Sequence, residues 1–233
     1  MRMTAPSLTS PEAPSRRFRG RSWKAVDLVC VYSTFSDGWS QRTVRFGLAP
    51  VQGGRIVMRG ARCLSVKLQS RDPRDVVLAE RRFESFDAPI QEDSSEGLRR
   101  ELDRRYLVAW SARTEAAFLD EIFCEGRTHW LRRTIEVRRL ASLTDRLSGR
   151  DFGPDTSRVF DLPSVARRYR VPEPQPRDAL DAALMTAELF LVLATKLAAL
   201  GYADVASLLQ ETSSPILPGA QLAPLHSEEP ALR

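Results

Sequence analysis

The side chains able to do chemistry are scattered along this chain of 233 residues. Cys30, Cys63 and Cys124 are odd in number and far apart, without a C-x-x-C pair, a pattern that argues against a disulfide scaffold or a zinc site. Cys30 and Cys63 lie in strand-like runs and read as buried thiols of a reducing cytoplasm. The two histidines, His129 and His226, belong to no motif; the first reads as a loop or strand-edge residue. Lys24, Lys67 and Lys196 are the only lysines, so the net charge of +5 is carried almost wholly by arginine. A guanidinium matches phosphate geometry well. Genome base composition produces the same bias, so charge alone assigns no partner. What remains are a carboxylate at Glu115, an arginine at Arg177 beside the carboxylates Asp178 and Asp181, and a tryptophan-serine pair at Trp110 and Ser111.

The elements that must position these residues are legible in outline. Asp178 to Leu200 carries the longest helical signal: rich in Ala and Leu, free of Gly and Pro, and entered through a proline-spaced stretch. Asp178, Asp181, Glu188 and Thr195 form its polar stripe, while Ala182, Thr186, Leu189 and Leu193 point inward at the ~3.6-residue period. Glu188 and Lys196 interrupt the apolar run, which marks a core helix and not a membrane span.

Ala25 to Tyr32 reads as a buried strand, Thr43 to Leu48 as an alternating second one, and Arg55 to Leu64 as a third after a Gln52-Gly53-Gly54 turn. Short connections make these three an antiparallel meander. Residues 67 to 93 read as a loop and 96 to 105 as a helix capped by Ser94 or Ser95. A four-residue strand from Tyr106 leads into a helix beginning near Glu115. Asp161 caps a helix running through Arg170, with Pro163 tolerated in its first turn. A last helical segment is expected over Ala203 to Gln210.

Three segments resemble, in order and spacing, the motifs of the DnaQ-like 3′–5′ exonucleases. The segment RDALDAALMTAELF resembles the family's H-x-A-x-x-D-A-x-x-T-A-x-x-L, matching at Ala179, Ala183, Thr186 and Ala187. VCVYSTFS, from Val29, resembles the first motif D-x-E-T-T-G, with Ser33 and Thr34 on its two threonines. YLVAWSARTEAAFLDEIF resembles V-A-H-N-A-x-F-D-x-x-F-L, matching at Val108, Ala109, Ala112, Phe118 and Leu119. TIEVRRLA, from Thr134, resembles I-D-T-x-x-L-A, with Glu136 for its aspartate. The resemblance covers roughly residues 23 to 200 and implies an α/β, ribonuclease-H-like fold. Its sheet is a mixed five-stranded one, the first three strands antiparallel, with helices on both faces.

The chemistry does not follow the fold. The family hydrolyses a terminal phosphodiester with two divalent metals, magnesium or manganese, which want several carboxylates close together. At the family-equivalent positions this chain has Cys30, Tyr32, Glu115, Arg177 and Ala182. A thiol is a soft ligand, a phenol of reference pKa ~10 stays neutral, and alanine offers nothing. Asp181 lies one residue from Ala182, roughly 100° round the helix, and Asp178 is equally misdirected beside Arg177. Arg177 stands where the family has its general base, and a guanidinium of pKa above ~12 accepts no proton.

Two histories fit these substitutions: decay of a redundant copy, or conversion of a cleavage site into a binding site. In the second, Arg177 pairs with Glu115 or contacts a phosphate. Ser33, Thr34, Trp110 and Ser111 then line the place where the family meets its terminal nucleotide, with Trp110 as a stacking face.

The sequence therefore divides into a basic arm over 1–22, an exonuclease-like domain over 23–211 and a Pro-rich tail over 212–233. Neither cofactor nor metal is expected, and no apolar leader opens the chain, which points to the cytoplasm. The reading is a degenerate exonuclease domain that binds single-stranded nucleic acid, or a polymerase or other replication or repair protein, without efficient cleavage. The tail segment Gln221-Leu222-Ala223-Pro224-Leu225 loosely resembles a bacterial sliding-clamp-binding peptide, at a length where matches recur freely. An active exonuclease with unusual ligands and a purely protein-binding module are the alternatives.

Overall fold

A computed structural model describes residues 20–37, 42–67, 95–103, 105–149, 161–172 and 178–213. Its centre is strand β1, Leu28–Asp37. Antiparallel to it runs β2, Arg42–Gln52, paired from Leu28↔Val51 to Asp37↔Arg42. On the other side of β1 lie the parallel strands β5, Tyr106–Ala109, and then β6, Thr134–Glu136. The chain is thus α/β with a mixed, open sheet flanked by helices, and its opening strands are antiparallel as the sequence indicated.

The sheet has six strands rather than five. The expected third strand is split into β3, Arg55–Ile56, and β4, Arg62–Lys67, both antiparallel to β2. Gly53 and Gly54, at φ +58° and +73°, make the tight turn that returns the chain from β2. The split falls opposite Pro50. Its carbonyl accepts from the Val57 N–H at 2.8 Å, so its missing N–H lies on that same outer side. Residues 58–60 turn out as a single 3-10 turn before β4 resumes the pairing, from Leu48↔Arg62 to Thr43↔Lys67.

Alternation along β1 sends its side chains into two cores. Leu28, Cys30 and Tyr32 face one layer, and Val29 and Val31 the other. The second layer holds α1 (Ser95–Leu102), α2 (Ala112–Phe123) and α3 (Arg127–Leu131), which contribute Leu98, Leu102, Phe118, Leu119 and Trp130. The first holds α4 (Val137–Leu147), α5 (Leu162–Arg168), α6 (Ala179–Ala199) and α7 (Val205–Ser213).

Helix α6, of 21 residues, fills the stretch expected from Asp178 to Leu200 with those two residues as its caps, and the Asp178 carboxylate accepts from the Asp181 N–H at 2.8 Å. Ala182, Thr186, Leu189 and Leu193 are fully buried, as their spacing required. By length and composition alone α6 is apolar enough to cross a membrane. Here that apolar length is spent on the core. Asp161 caps α5 by accepting from the Ser164 N–H at 2.6 Å, with Pro163 in the first turn. That helix ends at Arg168, two residues before the expected end, because Arg170 turns to φ +57°. The buried Asp145 of α4 holds α5 in place, accepting from Arg168 Nη1 at 2.9 Å and from the Tyr169 hydroxyl at 2.8 Å.

The expected strand start at Ala25 gives way to a 3-10 turn over Trp23–Ala25, capped by the Ser22 hydroxyl accepting from the Lys24 N–H. Arg21 and Ser22, read from the sequence as the end of an arm, belong to the fold: the Arg21 carbonyl accepts from the Val205 N–H at 3.1 Å. The rest of that arm and the tail from 214 onward, His226 and the 221–225 segment included, lie outside the described residues.

Candidate functional site

The chain leaves β1 towards β2 on one side and returns to β5 on the other, so the carboxyl ends of β1 and β5 form a topological switch point. Open α/β sheets bind their ligands in such places. Of the residues singled out from the sequence, Cys30, Tyr32, Trp110 and Ala182 share one buried cluster on the α6 side of the sheet.

Cys30 and Tyr32 are two apart on β1 and therefore share a face, the one turned to α6. Ala182 meets them from the first turn of α6, and Val108 and Trp110 from β5 and its end; all five lie in one buried cluster. Gly47 sets this geometry. It pairs with Tyr32 across β1 and β2, and a β-carbon there would overlap the Ala179 carbonyl and approach the Leu180 nitrogen to 2.6 Å. Only a residue without a side chain lets the start of α6 rest on the strand and bring Ala182 down onto Cys30 and Tyr32. The signal for it was a lone glycine within an alternating strand.

Glu115 belongs to the other layer. It sits in the first turn of α2, directly after β5, and is 1 % exposed. Ser111 occupies the N-cap position of α2, half-buried, its Oγ 3.0 Å from the Thr114 hydroxyl. Arg177 lies outside the described residues, so its expected contacts with Glu115 or a phosphate are not described.

The residues expected to bind nucleic acid differ in exposure. Trp110 is 6 % exposed and packed in the α6 layer, so its indole offers no open face for a base to stack on. It shares the parity of Val108, and an aromatic ring continuing an apolar strand is drawn inward with it. Ser33 is fully buried on the α2 side, its hydroxyl without a hydrogen-bond partner among the described residues. Thr34 is 8 % exposed. Of the described members, only Ser111 presents appreciable surface at the edge.

Among the described residues no three or more of His, Cys, Asp and Glu are grouped to hold a metal ion. Burial pushes the Cys30 thiol far above the ordinary thiol range, so at neutral pH it carries no charge to offer a cation. The Asp178 carboxylate is engaged in capping α6, as its misdirection by one residue foretold.

The second thiol on this face behaves alike. Cys63, opposite Gly47 on β4, is pushed up to about 11, mainly by burial and further by the Asp178 carboxylate, with Arg45 opposing. Cys124, at the left-handed end of α2, is exposed. Alkylation at pH 8 followed by peptide mass mapping is therefore expected to label Cys124 and leave Cys30 and Cys63 largely unmodified. Comparable labelling of Cys63 at that pH would contradict the packing of β4 under α6.

No family model, curated protein or solved structure matches this chain.

Proposed function

We propose that this chain has a ribonuclease-H-like sheet and is a non-cleaving relative of the DnaQ-like exonucleases, a cytoplasmic binding domain of nucleic-acid replication or repair. One observation carries the reading. Cys30, Tyr32 and Ala182, the positions at which the resembled family carries acidic metal ligands, meet in a single buried, largely apolar cluster. Two of these positions are neighbours on β1 and the third comes 150 residues after Tyr32, and none of the three carries a carboxylate, which supports a relative that has lost the metal-binding chemistry. Support for the fold comes from the order β3-β2-β1-β5-β6, with antiparallel strands on one side of β1, parallel strands on the other and a long helix crossing the face.

The experiment incubates the purified protein with end-labelled single-stranded DNA and RNA in magnesium or manganese, and titrates the same strands across a salt series. No metal-dependent shortening is expected, nor any rise in melting temperature on adding either ion. Binding, where present, is expected to be weak and to fall with salt as phosphate contacts are lost. Family-level degradation by the unaltered protein overturns the reading.

A second reading, a module that binds protein alone, is favoured by the burial of Trp110 and Ser33, which removes the stacking face a nucleotide would use. Absence of strand binding at low salt selects it.

A further inference from the structure

Both ends of the described fold meet at one place. The Trp23 N–H donates to the Ala203 carbonyl at 3.3 Å, and the Val205 N–H donates to the Arg21 carbonyl at 3.1 Å. Ser22 and Asp204 thereby form an antiparallel bridge remote from the main sheet. Asp204 has a second task on the other side of the bridge. Its carboxylate accepts from the Ser207 N–H at 2.9 Å and so caps α7. Trp23 seals the junction: it is 2 % exposed and meets the Phe190 ring edge-on, 5.6 Å between centroids at 78°. Val205 and Leu208 carry α7 into the same core, where the helix rests on β6 and α4.

We propose that residues 20–25 act as a strap over the α6–α7 elbow, and that strap and α7 open and close as one unit. A short helix contributes little stability by itself, and α7 has nine residues. Its alignment depends on a capping residue whose backbone is fixed by the strap, while the strap is fixed by the helix it caps. Each is the other's support, which is the condition for a local cooperative unit that opens below global unfolding. Coupling of this kind is reciprocal, so loosening either segment releases the other. Release bares the core around Phe190, Leu197 and Leu208.

Two variants of the full chain test this by amide hydrogen exchange. Trp23→Ala loosens the strap directly. Val205→Pro removes the donor to Arg21, yet leaves α7 competent, because position 205 opens the helix, where proline is tolerated. Trp23→Ala is expected to speed exchange over 205–213 at least about tenfold, and Val205→Pro to speed exchange over 20–26 by a similar factor. Amides of β1 and β2 are expected to stay within about twofold of the parent in both. The proposal is overturned if either variant loosens only the segment that carries it, or if all amides accelerate together.

Discussion

Gly47→Ala is expected to lower the unfolding free energy by roughly 3 kcal/mol or more, at or beyond the upper end of what overpacking ordinarily costs. The obstacle is backbone: the added carbon would overlap the Ala179 carbonyl and stand 2.6 Å from the Leu180 nitrogen. A side chain could rotate away, but the first turn of α6 cannot do so without lifting from β2. Lifting it also withdraws Ala182 from Cys30 and Tyr32, so the cluster at the strand ends opens with it. Denaturant titration reads the loss as a drop in midpoint. A change below about 1 kcal/mol would mean that α6 is not seated on this strand.

The second large effect concerns the buried position that the resembled family fills with an aspartate. Ala182→Asp is expected to cost on the order of 3–5 kcal/mol at neutral pH, the scale of an uncompensated buried charge. Ala182 is fully buried, and the neighbours in its cluster are apolar or held neutral. The new carboxyl keeps its proton in the fold, so its folded pKa lies above the unfolded value of ~3.9. The penalty is then smallest below that unfolded value and grows as the pH rises towards the folded pKa. Unfolding curves at pH 4.5 and 7.5 are expected to show the greater loss at 7.5. A small, pH-independent loss would place residue 182 against water and not in a buried cluster.

A companion variant tests the site geometry that the proposed function implies. Cys30→Asp, Tyr32→Glu and Ala182→Asp together should be strongly destabilised alone and rescued in part by manganese, because a cation offsets the repulsion between carboxylates it bridges.

These two positions also mark how far the sequence could be read. Ala182 was correctly turned inward because a 21-residue helix offers many turns over which a stripe repeats. Asp161 was legible as a cap for a similar reason, a short polar residue before an apolar run. Gly47 was not. Nothing local distinguishes a glycine that weakens a strand from one that admits a helix; the distinction lies in Ala179, more than a hundred residues later. Pro50 hid the division of the third strand in the same way, since the sequence does not tell which side of a strand loses its donor. The burial of Trp110 was not legible for a third reason. Its position after β5 was right, but the direction of its side chain follows the parity of Val108, and that was outweighed by what an exposed aromatic ring would do. For the described residues near the strand ends, then, the strand and helix assignments were legible in the sequence and the side-chain exposure was not.

Pro50 has one more effect, on how this molecule meets copies of itself. An uninterrupted third strand, Arg55 to Lys67, would present a long, flat row of backbone donors and acceptors along the outer margin of the sheet. Such margins recruit strands from other molecules and seed aggregates. With the missing donor of Pro50 on that side, the margin of the sheet among the described residues is broken into segments of two and six residues, with a 3-10 turn between them. Short, offset segments make poor templates for an incoming strand, so a proline that weakens one sheet helps to keep neighbouring sheets from fusing.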